Sequence, residues 1–534
     1  MDINYKKSGA VFNQHQYWTK QPLESIDYFI LEHTNEGDVV LDPFCGTGMT
    51  GVSGIRLNRD VLLSDISHVC RHISNSYTTY FNVPLDELEL FINSIKEDLQ
   101  HLYNTKCSLC GNEKAEIVFS VLEEVFYNSK SESLAYGKEI FNSIKNKLPL
   151  PPKKTDKADF KGFELIQLSY KCNCSSQKLY KDPQRDDFIL NDIEEFFEDN
   201  IPKDYFFGKE PVRNFKKNIR QVKDLYSNRN LTALSILRHK ISETQNENLK
   251  SLLNFAFTSI LFNCSLMSRY RSYENTSIKM GTFYIPPVIK DNNVLKSFLS
   301  KVDKINKSNT KLYKERDLGC VNVFGDSAGN LKSIEDNSVD YIYTDPPYGD
   351  ILSYSELNIV WESWLGSLTD SSQEMIISKE VGKTEEFYFD LFEEFLGEAS
   401  RVLKPGKKMT LVFHHPKIEY WRRIQEVFLR SNFEPIRTSS PVRLVSGNKT
   451  SSQHVTKKNT QSFLAFTFIN RKKRVFKVDC SLDMNSESIL KNKLIQLGDV
   501  SKDYKYDYLI NELFTTVTID SKHEILIDSN STIV

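Results

Sequence analysis

Three groups of residues in this chain could do chemistry. The first is Thr344-Asp345-Pro346-Pro347-Tyr348-Gly349. Two consecutive prolines withhold two N–H donors and restrict φ, so the chain turns in a fixed shape. The Asp345 carboxylate and the Pro346 carbonyl then stand as two neighbouring acceptors, which suits a partner with two hydrogens to donate: an exocyclic NH2. Bonds to both acceptors would push the nitrogen lone pair out of conjugation and make it a nucleophile. Tyr348 can stack on a planar base, a contact worth about 1 to 3 kcal/mol. Taken alone, Asp345 to Tyr348 also fit a purely structural turn.

The second group is Asp42-Pro43-Phe44-Cys45-Gly46-Thr47-Gly48. Glycines at 46 and 48 allow close backbone approach to a ligand. With Gly51 they partly fit the dinucleotide pattern G-x-G-x-x-G. An acid at the start of the turn would repel a pyrophosphate, however, and attract an ammonium group. Asp65 closes the next apolar run, where an acid accepts hydrogen bonds from a ribose diol. An ammonium-bearing tail and an unphosphorylated ribose describe S-adenosylmethionine. The structural alternative makes Asp42 a stabiliser of the following helix N-terminus.

The third group is Cys107-x-x-Cys110 with Cys172-x-Cys174, among nine cysteines in all. Four thiolates suit one tetrahedral Zn²⁺ with no open position, hence a structural metal. The alternatives are four unrelated thiols or a redox pair, and no βαβ context supports the latter.

Elements must bring these groups together. Apolar positions at helical spacing predict a helix over 23–33, and DVVL at 38–41 predicts a strand feeding the glycine turn. MTGVSGIRLN reads as the next helix, and VLLSD at 61–65 as a second strand. Strand, glycine turn, helix, strand and acid open a doubly wound α/β domain. The rhythm resumes with strands at CVNVFGDS (320–327) and DYIYT, then helices from SELNIVWESWL to GEASRVL and a buried strand in KPGKKMTLVFHH. A further helix and a final strand pair, FEPIRTS and QSFLAFTFIN, bracket a polar loop.

The expected fold is therefore α/β, a Rossmann-like S-adenosylmethionine-dependent methyltransferase sheet interrupted by a long insertion. Residues 1–100 hold its first part with the cofactor loop. Residues 101–210 form an inserted zinc-binding module with exposed loops, including a Pro- and Lys-rich linker at 148–162 and an acidic run at 191–200. Residues 211–314 are mostly helical and are the expected target-recognition region. Residues 315–470 complete the domain with the Asp-Pro-Pro-Tyr turn, and 471–534 are a C-terminal extension of unassigned role.

Bulk properties narrow the class. The chain has 534 residues, 40% hydrophobic and 26% charged, with 69 basic and 71 acidic side chains. No stretch approaches the roughly 18 to 20 apolar residues of a membrane span, and the first residues lack the apolar core of a secretory signal. An intracellular, cytoplasmic protein with no membrane partner is expected. Basic runs at 213–240 and 437–459 are either solvated surface or phosphate contacts.

On these motifs the sequence resembles the amino-group DNA methyltransferases, the N6-adenine and N4-cytosine family. The resemblance implies that Asp42 to Gly48 is the cofactor loop and Asp345 to Tyr348 the catalytic tetrapeptide. HQYWTKQP (15–22) is similar to the family's N-terminal cofactor motif, placing His15, Tyr17, Thr19 and Lys20 near the methionine end. GDSAGNLKSIEDNSVDYIYTDPPY resembles the segment leading into catalysis, with Asp326 and Ser327 near the adenine ring. The motif order and the aspartate at 345 favour the adenine branch. TDPPYG also resembles tRNA guanine-N2 methyltransferases, whereas C5-cytosine chemistry lacks its Pro-Cys nucleophile here. The implied partners are double-stranded DNA, with the target base flipped out, and subunits of a restriction or anti-phage system in a prokaryotic cell.

Overall fold

A computed structural model describes residues 2–5, 11–128, 131–134, 136–146, 159–188, 199–271, 278–279, 281–313, 319–415, 417–436, 442–446 and 462–471. Most of the 148–162 linker, the 191–200 acidic run and the 437–459 basic run lie outside the described residues, as does the extension beyond Arg471.

The chain opens with β1 (Asp2–Tyr5), α1 (Leu23–His33), β2 (Val39–Asp42), α2 (Met49–Arg56), β3 (Asp60–Ser64), α3 (His68–Thr78) and α4 (Leu85–Leu99). The insertion adds β4 (Asn104–Thr105), β5 (Ala115–Asn128), β6 (Ser131–Leu134), α5 (Tyr136–Lys145), β7 (Asp159–Lys171) and β8 (Leu179–Lys181). Next come α6 (Lys209–Val212), α7 (Asn228–Glu243), α8 (Glu247–Ile260), β9 (Val288–Asn292) and α9 (Val294–Tyr313). The last part holds β10 (Val321–Phe324), β11 (Val339–Thr344), α10 (Tyr354–Leu365), α11 (Glu385–Val402), β12 (Leu403–Phe413), α12 (Ile418–Arg430), β13 (Phe433–Pro435), β14 (Val442–Ser446) and β15 (Ser462–Asn470).

One sheet runs β1-β14-β15-β12-β11-β2-β3-β10. Neighbouring strands are parallel except at β15, which is antiparallel to β12, β14 and β13. Every residue of β11 is buried, as a central parallel strand covered on both faces must be. The period of two divides the sheet's side chains. Val40, Tyr341, Tyr343 and Val412 join a core with Ile26, Phe29 and Ile30 of α1 and Val69 and Ile73 of α3. Leu41, Ile342, Leu411 and Phe413 join another with Phe392 and Phe395 of α11 and Ile424 and Val427 of α12. Strand order reverses between β2 and β11, and open α/β sheets bind ligands outside the carboxyl ends of the strands at such a point.

The insertion expected to be rich in loops is built instead on two long antiparallel strands, β5 and β7, paired along most of their length. On its other edge β5 pairs with β9, in a stretch read as mostly helical. The segments on either side of residue 210 therefore share one sheet. Nine of the 14 residues of helix α8 are buried, as in a core helix. It packs beside α3, α7 and α9. Helix α10, the next helix after β11, is tied to this region: Trp361 Nε1 donates to the Thr258 carbonyl at 3.1 Å and Trp364 Nε1 to the Tyr226 hydroxyl at 3.1 Å. Among the described residues no helix is long and apolar enough to cross a membrane.

Candidate active site and cysteine cluster

A cavity of about 960 Å³ opens at the carboxyl ends of β2, β3 and β11. It is lined by Asp42, Pro43, Phe44 and Gly46 of the glycine turn, by Asp65 and Ser327, and by Asp345, Pro347 and Tyr348. His15, Tyr17, Thr19 and Lys20 of the N-terminal stretch close it. Three residues expected at the site are not in its lining: Gly48, Asp326 and Pro346. Gly48 adopts φ +72°, and a Cβ there would sit 2.8 Å from the Ser74 side chain. It is glycine so that the turn can pack on α3. The Asp326 carboxylate accepts from the Ser333 backbone N–H at 2.8 Å and so holds a turn. Pro346, between the lining residues Asp345 and Pro347, is buried.

Asp42 is 5% exposed and accepts from Thr50 Oγ1 at 2.6 Å, the Phe44 N–H at 3.2 Å and Thr344 Oγ1 at 3.3 Å. Burial raises its pKa to about 7 against those bonds, and the nearby Asp345 charge adds to the rise. Asp65 accepts from the Gly46 and Ser67 N–H groups at 3.0 and 2.9 Å, which pins the glycine turn to the end of β3. Burial lifts its pKa to about 6. Three carboxylates thus share one cavity, and burial makes the charge on two of them costly without a cation.

The Asp345 carboxylate receives the Gln21 amide at 2.5 Å and the Tyr348 hydroxyl. Tyr348 stands edge-on to Phe413, with ring centroids 5.1 Å apart, and beside Phe463 at 6.0 Å. The Pro347 carbonyl accepts from the Tyr388 hydroxyl at 2.8 Å, which fixes the turn from the α11 side. Nothing in the sequence singled out Gln21 beyond its place beside Lys20. Asn358 is likewise new: its amide donates to Tyr17 Oη at 3.2 Å and Ser67 Oγ at 3.1 Å.

In the N-terminal stretch, Lys20 Nζ donates to the carbonyls of Phe12 and His15 at 2.8 and 2.5 Å and to the Tyr77 hydroxyl at 3.0 Å. Burial, then Lys301, lowers its pKa to about 7. His15 is held well below its ordinary pKa by burial, bonds Thr258 and stacks on Phe255. Tyr17 Oη lies 2.9 Å from Cys70 Sγ. Thr19 Oγ1 is 3.2 Å from the Tyr354 hydroxyl. These side chains shape the cavity wall, and the polar groups of His15 and Lys20 are used to fold it.

The cysteine pairs, far apart in sequence, converge where β4 and β5 meet β7 and β8. All four sulfurs of Cys107, Cys110, Cys172 and Cys174 lie within 4.8 Å of one another. The Cys107–Cys174 and Cys110–Cys172 separations are both 3.6 Å. A tetrahedral zinc with Zn–S bonds near 2.3 Å requires sulfurs about 3.8 Å apart, so the cluster fits that ion.

The basic run at 213–240 divides. Arg229 is buried and donates to Ser120 Oγ and the Asp187 carbonyl. Lys217 pairs with Glu124, and Lys240 with Asp98. These three residues join elements of the fold.

Comparison with known proteins bears on the first part of the site. Residues 2–76 match the family model N6_N4_Mtase, described as DNA methylase. A stretch of 49 residues is 39% identical to Type II methyltransferase M2.MboI of Moraxella bovis, covering 9% of this chain and 18% of that relative. An N6/N4-type DNA methylase domain is thus indicated at the N-terminal end, and the matched stretch spans under a fifth of the relative's length. Among solved structures, geranyl diphosphate C-methyltransferase of Streptomyces coelicolor A3(2) is 10% identical, covering 32% of this chain and 61% of that one at a TM-score of 0.17. A SAM-dependent O-methyltransferase of Thermotoga maritima is also 10% identical, covering 33% and 49% at a TM-score of 0.17. Likenesses this slight carry no argument.

Proposed function

We propose that this chain is an S-adenosylmethionine-dependent DNA methyltransferase acting on the N6 amino group of adenine in a flipped-out base. One observation carries the reading. The Asp345 carboxylate, at the end of β11, faces the same cavity as Asp42 and Asp65 at the ends of the two strands that follow it in the sheet. S-adenosylmethionine supplies the electrophilic methyl group. Asp42 is suited to its ammonium, Asp65 to the ribose diol and Ser327 to the region of the adenine ring. A cationic ligand also offsets the charge that burial makes costly at Asp42 and Asp65.

The target base enters beside Tyr348, whose ring serves as its stacking surface. The incoming amine takes the place of the Tyr348 hydroxyl on Asp345, which then orients it and accepts the proton lost as the N–C bond forms. Pro346 supplies the second acceptor through its carbonyl. Aspartate at position 345 favours adenine over the cytosine amino group. The four cysteines hold a structural Zn²⁺, and double-stranded DNA is the partner, with restriction or anti-phage subunits alongside.

Labelled cofactor with duplex DNA tests the reading. Asp345→Ala is expected to abolish transfer while leaving cofactor affinity within a few-fold. Equal loss of both would make Asp345 structural. Label found only in cytosine, or only in tRNA, would overturn the adenine assignment.

A further inference from the structure

Between residues 203 and 223 every exposed charged side chain is basic: Lys203, Lys209, Arg213, Lys216 and Arg220. In a chain of 69 basic and 71 acidic residues, composition does not produce this. The acids of the segment, Asp204 and Glu210, are only partly exposed, and Glu210 pairs with Arg213. Asp204 accepts from Ser363, and Glu210 accepts from Arg213 at 2.7 Å and Thr282 at 2.5 Å. Lys203, Lys209 and Lys216 form no ion pair among the described residues. Two exposed aromatics stand with them, Tyr205 at 68% and Tyr284 at 39% exposure, and Lys279 lies over the Tyr284 ring at 5.9 Å.

This surface is fixed to the rim of the cavity. Glu356, one turn into α10, accepts the N–H groups of Lys209 and Glu210 at 2.8 and 3.2 Å. Tyr354 and Ser355, at the start of the same helix, line the cavity. Asn214 Nδ2 donates to the Phe283 carbonyl at 2.7 Å and Lys217 Nζ to that of Ile285 at 3.0 Å, binding the segment to the 281–285 loop. That loop passes beside Leu352, since a methyl group at Gly281 would meet it at 3.5 Å. Leu352 and the 41% exposed Ile351 both line the cavity, so they form part of its mouth.

We infer that the basic, tyrosine-bearing surface of residues 203–223, with Lys279 and Tyr284, grips the DNA duplex beside the mouth of the cavity. The inference rests on the function proposed above and names the surface that function needs. A duplex carries one negative charge per roughly 1.7 Å of its axis, so spaced lysines on a rigid support take successive phosphates. Exposed tyrosines offer stacking to bases unpaired around the flipped one.

The test compares the full-length wild type with the triple variant Lys203→Ala, Lys209→Ala, Lys216→Ala, and with Tyr205→Ala and Tyr284→Ala. Affinity for a duplex oligonucleotide is measured over a salt series, with cofactor affinity and methyl transfer in parallel. The triple variant should lower the slope of log K against log salt by about 2 to 3. It should also raise KM for DNA while kcat and cofactor affinity stay at wild-type values. The tyrosine variants should weaken binding with the salt slope kept. A triple variant with wild-type slope and KM, in an enzyme that does methylate duplex DNA, overturns the surface assignment alone. A wild type that modifies tRNA and not duplex DNA overturns the proposed function, and this surface with it.

Discussion

Cofactor affinity should depend steeply on pH through Asp42. Burial holds this carboxyl up to about 7, from an ordinary value of 3.8. That difference corresponds to about 4 kcal/mol, at 1.36 kcal/mol per pK unit. If the cofactor ammonium pairs with the ionised form, binding must displace a proton at any pH below about 7. The association constant should then fall about tenfold per pH unit below that point. Asp65, raised to about 6, steepens the fall further. Calorimetric titration between about pH 5.5 and 8, in two buffers of different ionisation enthalpy, gives both the affinity and the protons released. Asp42→Asn should bind weakly and lose the dependence between pH 6 and 7. The free protein behaves in the opposite sense. A carboxyl raised on folding contributes most stability below its unfolded value near 3.8 and loses it as pH rises through about 7. A wild-type affinity constant within twofold across this range, with no proton exchange, would refute the assignment of Asp42 to a cation.

Gln21→Ala removes the amide from Asp345, a bond to a charged group worth about 1.5 to 3 kcal/mol. Turnover should fall roughly 10- to 100-fold with cofactor affinity kept, as single-turnover kinetics would show. Gly48→Ala combines a positive φ with a Cβ 2.8 Å from Ser74. Left-handed backbone and overpacking together should cost about 2 to 5 kcal/mol, measurable by denaturant unfolding. Metal analysis of the purified chain should find about one zinc. Cys110→Ser should lose it and expose the β4–β5 and β7–β8 ends to protease while the cavity still binds cofactor.

The legible parts of the fold were those with local periodicity. Ile26, Phe29 and Ile30 recur at helical spacing and form the buried face of α1, whose limits match the reading at 23–33. The apolar run in β11 has no polar alternation because both of its faces are covered. Asp42, Phe44, Asp345 and Tyr348, which line the cavity, were legible too, since they stand at turns that glycine and proline mark. What local pattern cannot carry is pairing over distance. Gln21 and Asp345 are 324 positions apart, and a glutamine in a polar stretch gives no sign of its partner. The run at 213–240 was open to either a solvated or a phosphate-facing reading, and the partner that neutralises Lys217, Glu124, lies far off in the insertion. Strand β9 is five residues with two charged side chains, and it becomes a strand because the edge of β5 awaits it.

Strands β3 and β10 lie side by side in register, Val61 opposite Val321, although the whole excursion from α3 to α9 runs between them. The excursion departs and returns at adjacent places, so its length can change without moving the strands that carry Asp42, Asp65 and Asp345. Its cysteine-clustered hairpins join the rest of the excursion through the pairing of β5 with β9. The inner portion is held to the sheet from another side, because Trp361 of α10 shares one core with α8 and donates to its Thr258 carbonyl. Any graft that keeps α7, α8, α9 and the pairing of β5 with β9 should inherit a working sheet.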